Sequence, residues 1–248
     1  MKFATTIVLS CLCLFIATCA SAAEGPVYEL RTYTTNPGKL ANLHKRFADH
    51  TMKLFGKHGM KNIVYWTPTD EKLNKNTLVY VIQHESRAAA KKNWSGFISD
   101  PAWKKVAKAS QVDGKILAKR PESIFMKTTD FSPALGKSSK SPRVFELRTY
   151  TTAEGRLPNL LKRFREGELD LFTKHSLNNI LYWTPTDKKN TMIYVISHES
   201  QEAAKKSWAG FLGDPDWKKL RKASIASGPI VIKVQKQFLT ATDFSPLK

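Results

Sequence analysis

A nine-residue string, VYELRTYTT at residues 27–35, returns with a single change as VFELRTYTT at residues 144–152. The same offset of 117 positions aligns NIVYWTPTD at 62–70 with NILYWTPTD at 179–187. After a three-residue shortening of the next loop, YVIQHES at 80–86 pairs with YVISHES at 194–200, and Trp94, Asp100, Pro101 and Trp103 pair with Trp208, Asp214, Pro215 and Trp217. Each copy closes on TDFSP, at 129–133 and 242–246. Tryptophans repeated in order leave no room for chance, so the chain has to fold as one unit of about 110 residues written twice. Residues 26–133 form the first module, 144–248 the second, and 134–143 (ALGKSSKSPR) have the composition of a flexible linker.

The first residues stand outside that repeat. Lys2, an apolar run at 7–17 (IVLSCLCLFIA) and the small-x-small triplet Ala20, Ser21, Ala22 read as a secretory signal over residues 1–22, too short to span a membrane. The expected location is therefore extracytoplasmic, periplasmic or secreted. All three cysteines (Cys11, Cys13, Cys19) lie in this segment, so the mature chain would carry no disulfide, thiolate metal site or cysteine nucleophile. No other stretch is apolar enough for a transmembrane segment. A net charge of +19 makes anionic partners plausible through steering, but the lysines are spread over both copies without a recognition motif, so no specific nucleic acid is expected.

One module reads as β-α-β-β-α-β. Residues 27–35 alternate like a strand. Leu40, Leu43, Phe47, Leu54 and Phe55 follow at helical spacing, as do Leu157, Leu160, Leu161, Phe164, Leu171 and Phe172 in the second copy. Strands are expected at about 61–68 and 76–84. Ser86 caps a helix from Arg87 to about Ile98, Asp100 and Pro101 start a further helical turn or two, and a last strand covers about 116–128. This is the ferredoxin-like α+β order, an antiparallel sheet with both helices on one face. Two such modules can cover each other's open face and close a barrel, an internal pseudo-dimer.

Residues 28–33, Pro37, Gly38, Lys57, His58, Gly59, Trp66, Asp100, Pro101, Trp103 and 129–131 together resemble the NIPSNAP family over nearly the whole mature chain, and the second copy repeats the pattern. Glu154 stands where the first copy has Pro37, and Ser176 where it has Gly59. The resemblance implies a dimeric α/β-barrel fold, in a superfamily that includes cofactor-free monooxygenases and haem-handling enzymes. Animal members of the family are linked to mitochondria and vesicle traffic. The exported tandem form departs from them, so those roles do not carry over.

Alternation puts Glu29, Arg31 and Tyr33 on one face of the first strand, with Glu146, Arg148 and Tyr150 as their equivalents. With Tyr28 and Leu30 packed under the helices, the charged set is expected to face the barrel lumen. There it either orients a polar ligand or forms a structural ion pair. His58 and His175 end the first helix of each copy, where an imidazole serves as acid or base or simply meets the helix's last carbonyls. Trp66 and Trp183 alternate with Tyr65 and Tyr182, so one of each pair faces the lumen, as a platform for a flat ligand or as core. Trp94, Trp103, Trp208 and Trp217 read as core of the helical layer. His84 and Glu85 point to opposite faces and do not chelate by themselves, so neither a metal site nor a cofactor is expected. No nucleophile elbow, P-loop or dinucleotide fingerprint occurs. Three functions remain open: binding of a small molecule in the lumen, a cofactor-independent monooxygenase, and a basic interaction protein for anionic envelope partners.

Overall fold

A computed structural model describes residues 25–136, 141 and 143–248. The signal-like segment and residues 137–140 and 142 of the linker lie outside the described residues. The first copy forms β1 (Val27–Thr34), α1 (Leu40–Arg46), α2 (Met52–Lys57), β2 (Lys61–Pro68), β3 (Thr77–His84), α3 (Arg87–Ser99), α4 (Pro101–Ala109) and β4 (Glu122–Thr128). The second repeats it as β5 (Val144–Thr152), α5 (Leu157–Arg163), α6 (Leu169–Lys174), β6 (Asn178–Pro185), β7 (Thr191–His198), α7 (Gln201–Gly213), α8 (Pro215–Ser224) and β8 (Val231–Ala241). No helix of the described residues is long and apolar enough to cross a membrane.

The strands close into one antiparallel barrel in the order β1-β3-β2-β8-β5-β7-β6-β4. Each copy supplies a four-stranded ferredoxin-like sheet, and the copies meet edge to edge where β2 pairs with β8 and β4 with β6. Closure removes the unpaired edges that a lone module would expose. The lumen is an apolar core built by both copies. Trp66 packs on Phe145 with ring centroids 5.5 Å apart, and Trp183 on Tyr28 at 5.6 Å. Leu30, Val64, Val79 and Val81 meet Leu147, Leu181, Ile193 and Val195 around them.

The repeated TDFSP motif turns out to be a reciprocal clasp. Ser132 Oγ accepts from the Tyr182 amide at 3.0 Å, and Phe131 packs on Tyr182 and Phe164. In the other direction Ser245 Oγ accepts from the Tyr65 amide at 2.9 Å, and Phe244 packs on Tyr65. Each copy's tail thus lies on the other copy's second strand.

Three local features differ from the expectation. A π-helical turn interrupts the first helix of both copies, at Phe47–Thr51 and Phe164–Glu168. The segment after Asp100 is a full nine-residue helix, because the Asp100 side chain accepts from the Ala102 amide and Pro101 occupies the first turn. Finally β4 begins only at Glu122, whereas β8 pairs with β5 from Val231 onward. Pro121 has no amide hydrogen for the ladder, and the second copy has Val234 at that place.

Candidate functional site

The face of β1 is reversed from the expectation. Tyr28 and Leu30 point into the lumen, while Glu29, Arg31 and Tyr33, and likewise Glu146, Arg148 and Tyr150, point outward beneath the helices. The cause is the supply of polar partners. The lumen is apolar and shut by the second copy, so a charged pair there would be desolvated without compensation. The helical layer offers donors instead. Glu29 accepts from Arg31 at 2.5 Å, Ser123 at 2.6 Å, Trp94 Nε1 at 2.7 Å and His84 Nε2 at 3.1 Å. Arg31 also lies 4.3 Å from the Trp94 ring centroid. Burial alone would raise the Glu29 carboxyl, but His84, Arg31, Ser123 and Trp94 outweigh it and hold the pKa at about 2. The second copy repeats the arrangement. Glu146 accepts from Arg148 at 2.5 Å, Trp208 Nε1 at 2.8 Å and His198 Nε2 at 3.0 Å, with Arg148 4.2 Å from the Trp208 centroid. Arg148 also donates to the Tyr150 hydroxyl at 3.2 Å, which accepts from Tyr194 at 2.8 Å.

Trp66 and Trp183 are lumen residues and fully buried, with Tyr65 and Tyr182 on the helical side. His58 and His175 are not joined to the Glu–Arg pairs. His58 Nε2 lies 2.7 Å from Asp100 and His175 Nε2 2.6 Å from Asp214, tying the first helix to the cap of α4 or α8. Lys57 and Lys174 reach the same carboxylates, and with the histidines they hold Asp100 and Asp214 well below the usual carboxylate range. The imidazoles leave no space opposite: a Cβ on Gly96 would stand 2.9 Å from His58 Nδ1, and one on Gly210 2.9 Å from His175 Nδ1. Alanine in a helix normally gains up to about 1 kcal/mol over glycine. Gly96→Ala should instead lose about 1–2 kcal/mol by dislodging His58, whereas Gly56→Ala, whose Cβ meets nothing within 4 Å, should gain roughly 0.5–1 kcal/mol. Thermal unfolding of the two variants checks the contrast.

Both outward ion pairs underlie cavities between the sheet and the helices. In the first copy Arg31, Arg87, Lys91 and Arg120 ring a space of about 750 Å³ beside Trp94 and Phe125. In the second, about 630 Å³ is enclosed by a more apolar wall, Trp208, Phe211, Trp217, Ile230 and Val234, because the longer β8 carries aliphatic residues where β4 stops at proline. Arg148, Arg163, Lys205, Arg221 and Lys236 supply its positive charge and Glu168 its one carboxylate. Among the described residues no three His, Cys, Asp or Glu side chains gather as a metal site.

Several of these residues carry roles that alternation and helical spacing do not reveal. Trp94 and Trp208 pack against the core of the helical layer as expected, and they also hydrogen-bond Glu29 and Glu146 and stack on Arg31 and Arg148. His84 and His198, expected not to chelate a metal by themselves, donate to Glu29 and Glu146. Glu168 and Arg163 were not singled out, although a glutamate four residues after Phe164, on the apolar face of a helix, is a readable signal.

The NIPSNAP family model matches residues 28–133 and again 145–246. The chain belongs to the NIPSNAP family. No match was found among curated proteins. Among solved structures, a putative monooxygenase from Fusobacterium nucleatum superposes with a TM-score of 0.60 at 12% identity, covering 88% of this chain and 93% of that one. A putative monooxygenase from Lactobacillus acidophilus gives 0.51 at 11% identity, covering 88% and 94%. A NIPSNAP-like domain protein from Burkholderia xenovorans gives 0.38 at 20% identity, covering 42% of this chain and 89% of its own. At these identities the first two likenesses establish the tandem α/β-barrel fold and nothing about chemistry.

Proposed function

We propose that this NIPSNAP protein binds small organic anions with an apolar body, in the cavity of the second copy rather than in the barrel lumen. The observation that carries the reading is the composition of that cavity: five cations and one carboxylate around an aromatic and aliphatic wall. Cations at a partly desolvated cleft favour an anionic head, and Trp208, Phe211 and Trp217 offer a flat apolar surface to its body. The lumen, by contrast, is taken up by the side chains of both copies. Export remains part of the same proposal, supported by Lys2, the apolar run at 7–17 and the Ala20-Ser21-Ala22 triplet.

Calorimetric titration with 1-naphthoate and its neutral isostere 1-naphthalenemethanol tests the reading. The anion should bind at least about tenfold more tightly, and Lys236→Met should remove most of that preference. Added salt should weaken the anion alone. Equal affinity for the two, or an anion preference that survives Lys205→Met and Lys236→Met together, would contradict it. Arg87→Met in the first copy should leave naphthoate binding unchanged.

A further inference from the structure

Resting on that cavity, we infer that the second copy carries a general base which the first lacks: Glu168, placed to take a proton from the carbon next to the carbonyl of an aryl-bearing 2-oxo acid. The duplication provides an internal comparison. The residue equivalent to Glu168 is Thr51, whose hydroxyl donates to the Arg46 carbonyl at 3.1 Å within its own helical turn. The second copy has a carboxylate there, 2% exposed, accepting from Arg163 Nε at 2.7 Å.

The fold does not require this acid. Arg46, the equivalent of Arg163, is equally buried in the first copy with no carboxylate and with its Nε unpaired, held 5.3 Å from the Trp103 centroid and 3.4 Å from Ser110 Oγ. Arg163 keeps the same support, 5.1 Å from the Trp217 centroid. The first copy thus retains its buried arginine with Nε unpaired, and the fold stands without the glutamate that Arg163 meets. It is also aimed. It ends the π-helical turn, a distortion often found at functional positions, directly after Gly167 at φ 156°, where the first copy has His50. And it lines the cavity together with Arg148 and Tyr150. Burial raises its pKa, partly opposed by Arg163 and Arg148, which makes its ionised form a stronger base than a surface glutamate.

The substrate class follows from the surroundings. A carboxylate suits Lys236 and Arg148, and an aryl group suits the tryptophan wall. A carboxylate base needs an electron sink beside the C–H it deprotonates, and the carbonyl of a 2-oxo acid is one. In the step, the C–H pair of the C3 methylene becomes the C2–C3 double bond, and the carbonyl π pair moves onto oxygen. Arg163 stabilises that enolate oxygen and Glu168 holds the proton. Return of a proton to C3 completes an exchange that consumes no oxidant, reductant or co-reactant.

The test uses the full mature chain in D2O with 4-phenyl-2-oxobutanoate, whose C3 methylene is followed by proton NMR. Benzoylformate, which has no C–H beside its carbonyl, serves as the binding probe. The protein should accelerate exchange at least about 100-fold over buffer. Glu168→Gln should abolish the acceleration while benzoylformate still binds, at equal or tighter affinity because the cavity loses its one carboxylate, and Glu168→Asp should restore part of the acceleration. If Gln prevents folding, Glu168→Thr, which copies the first module, must show the same loss. Benzoylformate binding without any accelerated exchange would overturn this inference and leave the anion-binding reading standing. Exchange that persists in Glu168→Gln would also overturn it. Failure of both probes to bind would remove the two readings together.

Discussion

Glu29→Leu should cost the protein about 3–5 kcal/mol in urea unfolding, the largest single-residue effect expected outside the aromatic core. Glu29 is 1% exposed and receives four side-chain donors, from Arg31, Ser123, Trp94 and His84. Removing the acceptor leaves a buried guanidinium without a counter-charge and an indole N–H without a partner. Both penalties exceed what the added apolar surface returns. The double variant Glu29→Leu/Arg31→Leu should recover most of the loss, since the stranded charge goes with the arginine. Acid titration should report the same interaction independently. The Glu29 pKa falls from 4.5 to about 2 in the folded chain, so its stabilisation is complete above pH 4.5 and is lost as pH falls toward 2. The shift is worth about 3 kcal/mol, and the acid limb of the stability curve should flatten by that amount in Glu29→Leu.

The second large effect concerns the modules themselves. Residues 26–133 expressed alone should not be a stable monomer. Without the second copy, β2 and β4 become free edges, and Tyr28, Leu30, Val64, Trp66, Val79, Val81 and Met126 lose the other half of their core. At about 1.5–3 kcal/mol for each side chain returned to water, the loss matches or exceeds a domain's net stability of roughly 5–15 kcal/mol. The fragment should pair with itself, each copy's residues 129–133 clasping its partner, or aggregate. A well-folded monomer in light scattering would contradict the shared core.

Much of this was legible from residues. The repeat and the β-α-β-β-α-β order predict a barrel closed by two copies, because a module with one uncovered sheet face needs a second. What the pattern at β1 does not carry is which face looks inward. VYELRTYT alternates well in either sense, since tyrosine occurs on both faces and an ion pair suits any partnered site. The decision lies with Trp94 and Trp208, far along the chain, whose indole N–H groups reach Glu29 and Glu146. The histidines are equally ambiguous in the sequence: His58 and Asp100 are 42 residues apart, and the packing of α2 against α3 brings them together. Differences between the copies held more than their agreements. Pro121 against Val234 sets the length of the last strand and the character of the cavity wall, and Thr51 against Glu168 sets its chemistry.

The central claim is that the barrel lumen is structural and that ligands enter the outer cavity of the second copy. A crystal structure of the mature protein soaked with 1-naphthoate addresses it directly. The ring should lie against Trp208 with the carboxylate toward Arg148 and Lys236, and the packing of Trp66 on Phe145 and Trp183 on Tyr28 should be unchanged. Naphthoate lodged between Trp66 and Trp183 inside the barrel would contradict it.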